Sequence, residues 1–386
     1  MFANHTTGPY SASQNCQLAH APNCSTIVCI LNGILILTIE FYFVVPGDLK
    51  TLTGGYAWDR ELVRALETMG VKARLIRLHS SFPDADHAAL ADAALRIAAI
   101  PDRSVVIIDG LAGGVMDEII SRNCDRLHII SLCHHPLAFE SGISDALKQK
   151  RLQSEKSVLQ SSRAIIVTST ATARLLETVF EVPSAKITVA LPGTSKQAFA
   201  RCAGEPPVLL TVATLIPRKA HDVLLEALNR IRDLPWQARF VGGTHFDPSW
   251  TTRILKLRQS LELEKRVVLT GGLEDISQEY LNADIFVLPS RFEGYGMVFA
   301  EALSFGLPIV AAATGAVPDV VPTEAGVLIP ADDDEALAAA LQKLLTDREH
   351  FAKLRQGAQN SARQLPEWSD TARTVFLLLQ QMEAHA

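Results

Sequence analysis

IFVLPSRFEGYGMVFAEALSFGLP, residues 285–308, decides the fold. The apolar run Ile285 to Ser290 reads as a buried strand, and the run after Gly296 reads as a helix that stops at Gly306-Leu307-Pro308. Between them lies a glycine-bearing loop that carries Glu293, while Glu301 stands one or two turns into the helix. A strand, a glycine loop and a helix N-terminus together suit a polar, phosphate-bearing ligand, because loop amides and the helix dipole face an anion. Two glutamates at this spacing are common in helices. The chain around them makes the reading specific.

Working outward, short β-branched runs alternate with amphipathic stretches. Phe41 to Val45 reads as the first core strand, followed by a helix over 55–69, with Trp58, Leu62, Leu66 and Met69 on one face, and a strand over 73–78. Helices are expected at 86–97, 114–122, 145–161 and 170–180, and strands at 104–108, 127–133, 164–168 and 186–191. Pro192 to Pro207 has little period and ends in a proline pair, which marks a linker. A second series follows: strands at 208–213, 238–241, 267–270, 285–288, 308–312 and 327–329, with helices at 220–231, 249–261, 277–283 and 334–345. Continuous apolar strands between helices imply parallel sheets covered on both faces. The fold class is therefore α/β, two Rossmann-like doubly wound domains facing across a cleft, with ligands at the carboxyl ends of the strands.

The bulk composition agrees. A chain of 386 residues exceeds what one core usually supports. With 48% hydrophobic and 20% charged residues it is globular, and a net charge of -6 argues against broad nucleic-acid binding. The six cysteines form no CxxC pair and no metal-ligand spacing, which points to a reducing, cytoplasmic compartment and no zinc site. The N-terminal 36 residues read as an extension, disordered or mis-started. Its apolar run from Ile27 to Val45 has the length of a membrane anchor. Asn32, Gly33 and Glu40 interrupt that run, no Lys or Arg precedes Lys50, and its end flows into PGDLKTLTGG, so a first core strand is the better reading.

RKAHDVLLEAL (Arg218 to Leu228), VVLTGGL (Val267 to Leu273) and the segment from Asn282 to Val321 together resemble the donor half of the retaining glycosyltransferases of family 4 (group 1), which have the GT-B fold. The resemblance covers the second domain and, more weakly, the first. It implies an acceptor-side domain over 37–200, a donor-binding domain over 201–365, and a last helix, 366–386, opened by Trp368, that crosses back onto the first domain. It further implies a metal-independent hexosyltransferase with no cofactor, moving a sugar from a UDP- or GDP-sugar to a glycan, lipid-linked or small-molecule acceptor with retention. Peripheral contact with the inner membrane goes with a lipid acceptor, although no polybasic amphipathic helix demands it.

Residue by residue, Arg218 and Lys219 sit where a cationic pair can neutralise a diphosphate leaving group. The family's Gly-Arg dipeptide just upstream is here Ala213-Thr214, so Arg218 is expected to take over part of that role. Glu293 resembles the family's first glutamate, beside the donor sugar, and Glu301 the second, which accepts from ribose hydroxyls. The amides of Gly294, Tyr295, Gly296 and Met297 are expected to meet sugar and phosphate, and base contacts to come from backbone around Gly271 and Gly272. In the first domain, Gly54 and Gly55 open a helix that can approach the phosphate, or form a plain turn. His135, with His134 close behind, resembles the strand-end histidine that contacts the transferred sugar. A His-His pair is also half of a metal site, but the sequence shows no acid or third histidine placed for it. Asp109 and Glu140 either touch acceptor or cap helices. Asp319 and the run Asp332 to Asp334 read as structural and as helix-capping acids. An epimerase or hydrolase using the same donor site, or a non-catalytic sugar-binding protein, are the competing readings.

Overall fold

The structure, a computed structural model, describes the backbone of residues 18–19, 26–31 and 34–384 and the side chains of residues 39–384. The extension expected at 1–36 lies largely outside the described residues. Its described backbone forms strands β1 (Leu18–Ala19) and β2 (Thr26–Leu31), and β2 runs antiparallel to the start of β3 (Ile34–Pro46). The apolar run that raised a membrane anchor therefore ends in a sheet strand. Among the described residues no helix is long and apolar enough to cross a membrane.

The first domain continues with β4 (Lys72–Leu78), β5 (Val105–Asp109), β6 (His128–Cys133), β7 (Ala164–Val167) and β8 (Ile187–Val189). They pair in the parallel order β4-β3-β5-β6-β7-β8, so strand order reverses between β3 and β5. Every residue of β5, β6 and β7 is buried, as continuous apolar runs covered on both faces require. The second domain holds β9 (Val208–Val212), β10 (Gln237–Val241), β11 (Val267–Gly271), β12 (Ile285–Leu288), β13 (Ile309–Ala312) and β14 (Gly326–Ile329). Its six strands are parallel in the order β11-β10-β9-β12-β13-β14, reversing between β9 and β12. A crevice opens outside the carboxyl ends of strands at such a reversal.

Most helices start on side-chain caps that the sequence supplies. Asp86, Ser144, Ser169, Asp247 and Asp333 each accept a backbone N–H three residues on. The helix expected over 114–122 is instead two short turns, Gly110–Gly113 and Asp117–Ser121. Packing explains the break. A Cβ on Gly113 would stand 3.2 Å from Ile108 Cγ2, and one on Gly114 would stand 2.9 Å from Leu137 Cδ1, so the glycine pair is spent on close approach. A helix that the sequence reading leaves unassigned, Arg348–Ala362, begins at Asp347, which accepts from His350 N.

The chain passes between the domains twice, and Thr194 N donates to Pro366 O where the two connections meet. After the second crossing the helix Trp368–Ala384 lies against the helix Gly54–Thr68 of the first domain. Its Ala372, Val375, Leu378 and Leu379 join the core that holds Trp58, Leu62 and Leu66. Each such aliphatic burial contributes roughly 1.5–3 kcal/mol, enough to tie the last helix to the first domain.

Candidate functional site

The loops after β9 and β12 flank the order reversal of the second sheet, and the site is built on them. Pro217–Lys219 forms one 3-10 turn, not the first turn of a helix, and Ala220 follows with φ 52° before the helix His221–Arg230. That left-handed step turns the backbone so that Arg218 and Lys219 both reach the loop after β12. Lys219 Nζ lies 2.6 Å from Glu293 Oε1, and Arg218 Nη1 lies 3.4 Å from Glu293 Oε2 and donates to Phe292 O at 3.1 Å. Glu293 is 4% exposed. Burial alone would raise its pKa, but Lys219 and Arg218 outweigh that and hold the carboxyl below its ordinary value. Burial pulls the Lys219 pKa down, with Glu293 opposing it.

Behind Glu293, Ala316 N donates to Glu293 O at 2.9 Å, so a turn after β13 fixes the loop. Gly296, with φ 84°, opens the helix Met297–Ser304, and Tyr295 is buried behind it. Met297 packs against the cores of both domains. Glu301 is half-buried and its Oε2 accepts from Tyr280 Oη at 2.8 Å. Burial raises its pKa against that hydrogen bond. Gly272 faces the first domain, where a Cβ on it would stand 3.9 Å from Leu52 Cδ1.

The first domain meets this loop at the end of β6. Gly294 O accepts from Thr172 Oγ1 at 3.2 Å, and the His135 ring lies 4.8 Å from the Phe292 ring. His135 is enclosed, with neither ring nitrogen hydrogen-bonded and Glu140 Oε2 3.7 Å away. Burial, with Arg218 and Lys219 nearby, pushes its pKa down to about 3, so the ring is neutral. Glu140 closes the 3-10 turn Leu137–Phe139 through its backbone N–H, and its side-chain Oε1 accepts from Arg218 Nε at 3.1 Å across the cleft. Asp319 also spans the domains, accepting from Thr170 Oγ1 at 2.7 Å and Arg174 Nη2 at 2.9 Å.

His134 corrects the expectation that no acid stands beside the histidine pair. Its Nε2 lies 3.0 Å from Asp59 Oδ1 and 3.5 Å from Asp109 Oδ2, and its ring sits edge-on to Trp58. A Cβ on Gly55 would stand 3.4 Å from His134 Cδ2, whereas one on Gly54 would meet nothing within 4 Å. Gly55 thus opens the approach to this ring. Asp109 also caps the next turn, accepting from Leu111 N. Asp59 is one helical turn past Gly55 and fully buried, and nothing in its local sequence distinguishes it from a surface helix acid. The structure therefore brings Arg218, Lys219, Glu293, Gly294 and His135 together, places Gly54, Gly55 and His134 on the facing wall, and sets Glu301 and Gly272 on elements flanking the second-domain loop.

Residues 195–362 match the family described as Glycosyl transferases group 1. A GDP-mannose-dependent alpha-(1-6)-phosphatidylinositol monomannoside mannosyltransferase of Mycolicibacterium smegmatis is 29% identical over 195 residues, 47% of this chain and 50% of that protein. A D-inositol 3-phosphate glycosyltransferase of Xylanimonas cellulosilytica is 29% identical over 250 residues, 59% of each chain. The chain thus spans about half the length of the curated relatives it matches. Among solved structures, the sucrose-phosphate synthase of Thermosynechococcus elongatus aligns over 90% of this chain and 100% of its own, with a TM-score of 0.77 at 23% identity. The Anabaena HepE protein in complex with UDP-glucose aligns over 89% and 99%, with a TM-score of 0.71 at 16% identity. Two doubly wound domains arranged as in these neighbours make the fold GT-B.

Proposed function

We propose, from the match of residues 195–362 to the group 1 glycosyltransferases, that the protein moves a sugar from a nucleotide-sugar donor to an acceptor hydroxyl, with retention at the anomeric carbon. The observation that carries this reading is one buried carboxylate, Glu293, held by Lys219 and Arg218 at the order reversal of the second sheet. The two cations neutralise the donor diphosphate as it departs, so that no metal is needed at the leaving group. Glu293 stands beside the sugar ring and offsets positive charge developing at the anomeric carbon. Glu301, oriented by Tyr280, accepts from the ribose hydroxyls, and the amides from Gly294 to Met297 approach sugar and phosphate. His135 presents a neutral imidazole to the transferred sugar, with Gly54 and Gly55 facing the phosphate.

In the reaction the bond from the anomeric carbon to the diphosphate oxygen breaks, and the acceptor oxygen bonds to the same face of that carbon. The acceptor proton passes to the departing phosphate, so the protein contributes positioning and electrostatics rather than a covalent intermediate. The donor is a UDP- or GDP-sugar, a reading supported by the GDP-mannose-dependent relative and the neighbour solved with UDP-glucose. The described cysteines, Cys124, Cys133 and Cys202, are all free, which supports a cytoplasmic site of action, with acceptors reached in solution or at the inner membrane face.

A panel of UDP-, GDP- and ADP-sugars offered to the purified protein tests the reading. Transfer or donor hydrolysis is expected, is lost in Glu293→Ala and Lys219→Ala, and keeps the donor's anomeric configuration by proton NMR. Tight sugar binding with no turnover of any nucleotide sugar sinks it.

A further inference from the structure

We propose that Asp59, Asp109 and His134 bind a divalent metal ion in the first-domain wall of the cleft. The three side chains come from separate elements: the helix Gly54–Thr68, the end of β5 and the residue after β6. One ligand atom from each lies within 4.8 Å of the others, and His134 Nε2 is 3.0 Å from Asp59 Oδ1 and 3.5 Å from Asp109 Oδ2. Ligands on one face of a divalent ion, each about 2.1 Å from it, sit about 3 Å apart. The cluster is close to that spacing before any ion enters.

Burial and bonding separate it from a surface acid pair. Asp59 is 0% exposed and Asp109 4% exposed, and carboxylates so deep are ordinarily paired or bound to metal. Asp59 Oδ2 is buried with no hydrogen-bond partner. Of the neighbouring donors, Tyr56 Oη donates to Pro46 O and Arg60 Nη1 to Leu49 O and Thr51 O, while Trp58 Nε1 is, like Asp59 Oδ2, buried without a partner. A single imidazolium neutralises one of the two carboxylates and leaves that oxygen without a partner. A divalent ion bound by both carboxylates and a neutral imidazole balances the charge of the cluster.

Two carboxylate oxygens and one imidazole nitrogen suit Mn²⁺, Fe²⁺ or Zn²⁺ better than Ca²⁺ or Cu⁺. Three protein ligands leave coordination positions open, and Gly55 lies beside the His134 ring, where a Cβ would stand 3.4 Å from Cδ2. This ion is not the diphosphate's counter-charge, which Lys219 and Arg218 supply from the other domain. If the transferase reading holds, its open positions take acceptor oxygens.

Mn²⁺ is titrated into the chelator-stripped, full-length protein without nucleotide, and the six-line spectrum of free Mn²⁺ is followed. One ion per chain is expected to bind at micromolar concentration, to be displaced by Zn²⁺, and to raise the melting temperature. Asp109→Asn and His134→Gln are each expected to weaken it at least tenfold while circular dichroism is kept. Should Asp59→Asn fail to fold, those two variants carry the test alone. A free Mn²⁺ signal that persists to millimolar protein, or binding that survives both variants, overturns the proposal and leaves a histidine held between two acids. Because the readout needs no donor, its failure and the failure of the transferase reading are separate results.

Discussion

Lys219 Nζ meets Glu293 Oε1 at 2.6 Å, and that contact joins the two loops that flank the reversal of strand order in the second sheet. Both side chains are nearly enclosed, with 13% and 5% of their surface exposed. Within a low-dielectric site Lys219 is tolerable chiefly because of Glu293, while Glu293 is held by both Lys219 and Arg218, so removing the glutamate strands the lysine.

Breaking this pair costs both stability and chemistry, and the two losses can be separated. Glu293→Ala strands Lys219 as a buried charge and is expected to lower unfolding stability by about 3–5 kcal/mol, whereas Lys219→Ala leaves Glu293 the longer Arg218 contact and is expected to cost less. The double variant Lys219→Met with Glu293→Leu replaces charge by apolar volume and is expected to regain most of that stability. Donor turnover stays lost in all three. Urea melts together with donor hydrolysis assays read this out, and a double variant that turns over donor would show that the pair is structural only.

Gly294 is the tightest point between the domains. A Cβ there would stand 2.0 Å from His134 O, a backbone atom that cannot move aside like a side-chain tip. Gly294→Ala is expected to part the loop from the end of β6 and break the Thr172 to Gly294 hydrogen bond. Misplacing reacting groups by about 1 Å costs on the order of 10²-fold in rate, so turnover falls by about that much. Neither sheet core is touched, so the melting temperature changes little. Kinetics beside calorimetry checks this, and wild-type turnover in the variant defeats it.

What the sequence discloses is what its local pattern encodes. The continuous apolar runs of β5, β6, β7, β12 and β13 could be read directly, whereas the roles expected of Glu293 and Lys219 came from the resemblance of their segments to the glycosyltransferase family. The Asp59 to His134 contact spans 75 positions and the Glu140 to Arg218 contact 78, and no periodicity connects residues at such range. Asp59 looks like any helix acid until the fold turns it inward. The helix expected over 114–122 failed for a similar reason: Gly113 and Gly114 answer to Ile108 and Leu137, not to helix propensity.

Glu140 occupies Arg218 from the opposite domain, and under the proposed function a donor diphosphate would compete for the same guanidinium. Glu140→Gln removes a charged competitor and keeps the shape, so UDP or GDP is expected to bind on the order of fivefold more tightly. Calorimetric titration with each nucleotide measures this. Weaker binding in the variant would mean that Glu140 holds Arg218 in place for the ligand rather than competing with it.

His221 gives the acid limb of stability a sign that can be checked. Buried at the start of its helix, 5.5 Å from the Phe240 ring and with neither nitrogen hydrogen-bonded, it has a pKa pushed from 6.5 down to about 4, by burial first and then by Lys219. In the unfolded chain the ring takes up a proton below its ordinary pKa, while the folded chain resists until about 4, so the unfolded state binds more protons and stability falls as pH drops between those values. At pH 5 this amounts to about 2 kcal/mol. Glu293, with its lowered pKa, loses its contribution only as pH falls below 4.5, below the pH 5 to 7 range. Glu155, raised to about 7 by burial, acts in the opposite direction, so wild type alone does not isolate the histidine. His221→Phe keeps the ring packing and removes the titration. The difference in unfolding free energy between the variant and wild type is therefore expected to shift by about 2 kcal/mol in the variant's favour from pH 7 to pH 5. Urea melts at the two pH values measure it, and a difference independent of pH refutes the neutral buried histidine.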